Sequence, residues 1–181
     1  MGPVEVTFIS IGLMVTLIGL ARGYAKELGS TLIILVAIFI LTFFKEPLDG
    51  AFATLGTQLL GLTDDGAKAL LTSTLYSVIF AAIVFSSYAG RTLSFGGTPA
   101  PPPQGTLISL GIGLLNGYLI AGTLWYYQDV YEYPISRLVT FDSTLTSTAE
   151  TLVEYLPQSL FENPVYWIVP VAVLLIIRVR G

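Results

Sequence analysis

The sequence predicts an all-α fold: a multi-pass transmembrane helix bundle of four spans plus a short fifth, with an outer-side amphipathic helix between spans four and five. Three observations lead there. No Asp, Glu, Lys or Arg occurs in Val6–Ala21, Leu28–Phe44, Ala69–Gly90 or Thr106–Tyr127, which hold 16, 17, 22 and 22 residues. An α-helix needs ~20 apolar residues to cross ~30 Å of hydrocarbon. The 181-residue chain is 54% hydrophobic and 11% charged, with a mean hydropathy of +0.78, against about 25% charged residues in a soluble domain. The charges that remain are sorted by sign between alternate loops. The reading divides the chain into a membrane domain at 1–127, an outer helical segment at 128–163 and a short fifth span at 164–181. Within the first, spans are expected at about 4–21, 28–44, 68–90 and 106–127.

The sorting of charges sets an orientation, because cytoplasmic loops are enriched in Lys and Arg. With the N-terminus outside and five crossings, the inside holds Arg22, Lys26, Glu27, Arg91, Arg178 and Arg180, a net of +4. The outside holds Lys45, Lys68 and Arg137 against eleven carboxylates, a net of -8. The reverse orientation would export five of the eight basic residues. Trp125, Tyr126, Tyr127, Tyr131 and Tyr133 cluster at the outer end of span four, and Tyr166 and Trp167 at the outer start of span five. Such rings favour the headgroup layer. At the N-terminus, Glu5 precedes the apolar core while Arg22 and Lys26 follow it. That order opposes a cleavable signal peptide and suits an uncleaved first span.

The elements follow in order. Arg22-Gly-Tyr-Ala-Lys-Glu27 joins spans one and two as a charged, well-capped turn. Gly23 can end the first helix with a positive φ, and Glu27 sits where a helix N-terminus favours an anion. Lys45–Gly66 is an outer connection; its apolar run Ala51–Leu62 predicts a short interfacial helix. Thr63-Asp-Asp-Gly66 reads as the N-cap of span three, since a calcium loop would need more oxygen ligands at alternating positions. Arg91 ends that span. Gly96-Gly-Thr-Pro-Ala-Pro-Pro-Pro103 then forms an extended cytoplasmic linker.

Span four carries the clearest internal pattern. Gly105, Ser109, Gly113, Gly117 and Ala121 recur at every fourth position, so small residues follow one ridge of the helix. In lipid, close backbone approach through such residues supplies the van der Waals contact that holds helices together. Asn116, beside that ridge, needs an interhelical hydrogen bond worth ~0.6–2 kcal/mol. The ridge either packs within the protomer, which a chain with several spans favours, or mediates assembly. After Tyr133-Pro134, Leu138, Phe141, Leu145, Ala149, Leu152 and Leu156 are spaced as one face of a helix, with Asp142, Thr144, Ser147, Glu150 and Glu154 on the other. Few basic residues accompany it, so it suits packing on span ends or a partner rather than anionic lipid. Pro157 should end it. Val165–Ile177 has only 13 residues and contains Pro170; that length reaches ~20 Å. Asn163-Pro164 above, and snorkelling by Arg178 and Arg180 below, extend its reach.

With these elements placed, the chain resembles the colicin V production protein family of bacterial inner-membrane proteins. Arg22-Gly-Tyr-Ala-Lys-Glu-Leu28 is similar to that family's basic turn. Gly113-Leu-Leu-Asn-Gly-Tyr-Leu119 is similar to its glycine-rich last span. Ser136-Arg-Leu138 through Glu154-Tyr-Leu-Pro157 resembles the serine-led amphipathic helix that follows. The resemblance covers about residues 4–157. It implies a role in colicin V production and envelope homeostasis, and it brings no catalytic residues with it.

With no Cys and no His, sites ligated by those residues for zinc, copper, haem or iron–sulfur are excluded, as are a Cys nucleophile and a Ser-His-Asp triad. No catalytic, cofactor-binding or metal site is expected, and no nucleic-acid partner. The leading expectation is a non-enzymatic membrane protein acting in envelope homeostasis, export or assembly, with the bilayer and other membrane proteins, or further copies of itself, as partners. Its candidate residues are Arg22, Gly23, Lys26 and Glu27 in the turn and Gly105, Ser109, Gly113, Asn116, Gly117 and Ala121 on the ridge. An accessory subunit of an energy-transducing complex is the alternative. A channel or transporter ranks lower, because ion pathways place ionisable groups within the spans and the sequence is read as holding them at the interfaces.

Overall fold

The structure, a computed structural model, describes residues 4–89, 93–95, 100–137 and 145–180. Every regular element among them is helical: α1 (Val4–Arg22), α2 (Tyr24–Phe43), α3 (Lys45–Thr54), α4 (Asp65–Ala89), α5 (Gln104–Val130), α6 (Ser147–Glu154), α7 (Pro157–Leu160) and α8 (Val165–Arg180). Four of them, α1, α2, α4 and α5, are long and apolar enough to cross a membrane. The chain is a multi-pass helical membrane protein. Arg91, Gly96–Pro99, Leu138, Phe141, Asp142 and Thr144, which the sequence places in a loop, a linker and a helix face, lie outside the described residues.

α2 is the central helix. Its Ile34, Ile38 and Leu41 join Tyr76 and Phe80 of α4, Leu119 and Ile120 of α5, and Trp167 and Val171 of α8 in one core. α1 packs along α5 as the largest helix pair. Outward, Leu13, Met14 and Leu17 of α1, Phe85 of α4 and Ile176 of α8 are exposed. So continuous an apolar surface marks contact with lipid rather than water.

Three boundaries differ from the sequence reading. The expected loop Arg22–Glu27 shrinks to one residue. Gly23 has φ 83° and open space around it, so glycine is required there for the backbone and not for room. α2 begins at Tyr24, which puts Lys26 and Glu27 inside the helix. At its other end α2 passes through Phe44 straight into α3, continued by a wider π turn at Leu55–Leu59. Pro47 falls in the first turn of α3, where its missing N–H costs nothing. Pro157 does not simply end the amphipathic helix. α6 stops at Glu154, and Pro157 opens α7 at its first position, a favoured place for proline.

Other features match simple chemistry. Asp64 caps α4 by accepting from the Ala67 N–H at 2.8 Å, and Thr146 caps α6 by accepting from Ala149 N–H at 3.1 Å. The Thr146 hydroxyl also donates to Glu5, tying α6 to the start of α1. α6 lays Ala149 with Leu152 against Val4 and Trp125, and α7 rests on Gly122, where a Cβ would strike the Pro157 ring. α8 has 16 residues with Pro170 inside, a length of ~24 Å. It packs on α2 and starts beside Phe43, so it runs back along that helix.

Candidate functional site

The candidate site is a buried polar cluster at the Arg22 end of the bundle, with one contribution from each of the four long helices. Its centre is Glu27, fully buried in the first turns of α2. Arg22, the last residue of α1, ion-pairs with Oε1. The other oxygen, Oε2, accepts from the Tyr88 hydroxyl of α4 at 3.0 Å and from Asn116 Nδ2 of α5 at 2.8 Å. Three donors on one carboxylate are what a buried charge requires.

A second set of contacts fixes the donors. Arg22 also reaches Ser30 Oγ at 3.1 Å and the Ser87 carbonyl at 3.3 Å, and its guanidinium lies 4.3 Å from the Tyr88 ring centroid, a cation–π distance. Thr31 Oγ1 stands 2.7 Å from Asn116 Oδ1, so both ends of that amide are engaged. The Tyr24 backbone N–H donates to Ser109 Oγ at 2.9 Å. This corrects one reading: Glu27 is not a solvated cap of a turn but a fully buried side chain of the first turn of α2. The cause is local: the one-residue turn at Gly23 winds the chain into α2 early enough to bury the fourth residue of that helix.

The small-residue ridge of α5 faces α1 within the same chain. A Cβ on Gly113 would lie 2.9 Å from the Thr16 carbonyl oxygen, and one on Gly117 would collide with the Gly12 carbonyl. A Cβ on Gly19 would come 2.8 Å from Gly113 Cα. Ala121 meets the same helix at Gly12, while Gly105 sits apart, against Ala100. Lys26 is exposed and outside the cluster. Sequence reasoning missed Tyr88, Ser30 and Thr31, which no spacing singles out. It also missed Gly12, Thr16 and Gly19, whose spacing of four and three on one helix face was a readable complement to the α5 ridge.

The chain matches no protein-family model, no curated protein and no solved structure. What the site does must therefore come from its own geometry. Both Glu27 oxygens are occupied by protein donors, and among the described residues no three acidic, His or Cys side chains converge as a metal site would need. The arrangement is a lock: it joins α1, α2, α4 and α5 at one depth through a single carboxylate.

A smaller cluster closes the opposite end of α2. Asp49 accepts from Tyr76 at 2.9 Å, from Tyr131 at 2.8 Å and from Lys45 at 2.8 Å. Tyr76 stacks on Tyr127 with centroids 4.7 Å apart. Several of the aromatics expected as a lipid-facing belt thus turn inward: Trp125 and Tyr127 are buried, whereas Tyr166 is exposed. Burial pushes the Asp49 carboxyl up, but the Lys45, Tyr131 and Tyr76 hydrogen bonds outweigh it and leave the group below its ordinary value. A carboxyl depressed in the fold stabilises it above the unfolded value, and that share is lost as pH falls through the folded value. Thermal stability in detergent is therefore expected to hold at neutral pH and to fall as the pH drops below about 4. Asp49→Asn should flatten part of that fall; an identical acid profile in the variant would refute the assignment.

Proposed function

We propose that this protein is a non-enzymatic component of the bacterial inner (plasma) membrane, of the kind the colicin V production family represents, and that it works by assembly with other membrane proteins in envelope homeostasis or export. One observation carries the reading. The fully buried carboxylate of α2 is spent on side chains from the other three long helices in the Glu27 lock, which leaves the protein its outer surfaces with which to act. In the proposed topology the N-terminus is outside, and α8 is the fifth crossing, ending with the C-terminus inside. The acidic end of the bundle, with Glu46, Glu150, Glu154 and Glu162, then faces outward. The α5 ridge is occupied by α1, so neither this reading nor the accessory-subunit alternative draws a docking surface from it.

The test is purification of the tagged full chain in mild detergent, followed by mass spectrometry of what accompanies it. Envelope or export membrane proteins are expected in fixed ratio, and a reporter fused after Gly181 should read inside. Stoichiometric redox subunits would transfer the protein to an energy-transducing complex. Recovery of the chain alone, at every detergent tried, would sink the assembly reading.

A further inference from the structure

A cavity of about 210 Å³ lies between α1, α4 and α5, beside the turn at Pro134–Arg137. Phe8, Ile11, Leu124 and Ile135 make its apolar wall, and three polar residues line it, Thr7 from α1, Ser77 from α4 and Gln128 from α5. Two of them have a buried atom without a hydrogen-bond partner: Ser77 Oγ and Gln128 Oε1. Gln128 is only 7% exposed. Ser77 departs from its own helix in this. Ser73, Ser86 and Ser87 each return the hydroxyl to a carbonyl three residues back, the usual retreat for a helical serine in an apolar setting.

Two unsatisfied polar atoms from different helices at one cavity imply a molecule that satisfies them, since an unmade buried hydrogen bond is costly. Its chemistry can be read from the wall. Gln128 Oε1 can only accept, and the Ser77 hydroxyl both donates and accepts, so the ligand must bring an O–H or N–H donor. No charged side chain lines the cavity, which selects a neutral molecule over an ammonium or a carboxylate. An apolar cavity of about 150 Å³ accommodates benzene, so this one has room for one substituted ring. Thr7, exposed on α1, borders the same space.

We propose that this cavity binds the single-ring phenolic group of a membrane-soluble molecule. The phenol O–H donates to Gln128 Oε1, Ser77 donates to an oxygen of the same molecule, and the ring packs on Phe8, Ile11 and Leu124. The probe is 4-fluorophenol, titrated into the detergent-purified full chain and followed by fluorine NMR, with 4-fluoroanisole as the partner that lacks a donor. A saturable, shifted resonance of one equivalent is expected for the phenol, with the anisole at least tenfold weaker. Gln128→Leu should weaken the phenol at least tenfold and Ser77→Ala several-fold. Phe8 stacks on Trp125 at 5.1 Å, so Trp125 emission in a Trp167→Phe background should change with the same affinity. Equal binding of phenol and anisole to the native chain, or phenol merely partitioning into micelles, would overturn the proposal. So would undiminished binding by a folded Gln128→Leu protein. If that variant does not fold, the two ligands on the native protein decide.

Discussion

Glu27→Leu is expected to cost the folded protein about 3–5 kcal/mol, the range for removing one partner of a buried ion pair. The cost comes from the groups left behind. Arg22, with 18% of its side chain exposed, would face leucine in place of its counter-ion. Tyr88 and Asn116 would each lose an acceptor inside the bundle. Because Arg22 keeps some access to water, the lower end of the range is the better expectation. Glu27→Gln retains a carbonyl acceptor and loses the charge, and should cost less, about 1.5–3 kcal/mol by the worth of hydrogen bonds to charged groups. Arg22→Met combined with Glu27→Leu should recover part of the loss, since an apolar pair of similar volume is often neutral. Lys26→Leu, one residue away but exposed, should stay within about 0.5 kcal/mol of the native protein. Unfolding in detergent, by heat or by SDS, followed by circular dichroism, gives all four numbers. A Glu27→Leu midpoint equal to that of Lys26→Leu would dismantle the lock.

The spans were legible because membrane crossing is written in long apolar runs, and a missing charge is as readable as a present one. The need of Asn116 for a partner was legible for the same reason: an amide in hydrocarbon cannot go unpaired. The identity of that partner was not. Glu27 looks like a loop residue until the turn before it is known to be a single glycine with φ 83°, a backbone fact that no residue count supplies. Tyr88 was hidden differently. It belongs to no periodic pattern, and its role depends on the packing that brings the end of α4 to Arg22. The inward-facing aromatics were misplaced because an aromatic residue at a span end serves equally as a lipid anchor or as an inward donor, as Tyr131 is to Asp49 and Trp125 to Tyr133.

The buried Glu27 also bears on transport. An ionisable side chain within a span ordinarily marks an ion or proton pathway. Here the carboxylate is enclosed by three donors from three other helices, and its counter-ion is held in turn by Ser30 and the Ser87 carbonyl. A pathway needs a site that ions can leave; this one is built to stay occupied by the protein itself. That contrast favours an architectural role for the charge.

The ridge gives the second large effect. Gly117→Val should separate α1 from α5, because the new side chain meets the Gly12 carbonyl, which is backbone, and Thr16 Oγ1 at 2.9 Å. Backbone cannot rotate out of the way as a flexible side chain can, so the helices must move apart along their whole contact. Overpacking usually costs about 1–3 kcal/mol; a collision with main chain belongs at the top of that range or above it. Gly111→Val, on the same helix two residues before Gly113, is the control. Nothing lies within 4 Å of a Cβ there, so the substitution faces lipid and should be close to neutral. The readout that separates displacement from general unfolding is distance between spin labels at Leu13 and Leu114, which are both exposed. The label separation should widen in Gly117→Val at temperatures where circular dichroism still reports full helix content, and should be unchanged in Gly111→Val. If the two glycines tolerate valine equally well, α1 is not seated on this ridge, and the small residues of α5 are free to serve contacts between molecules instead.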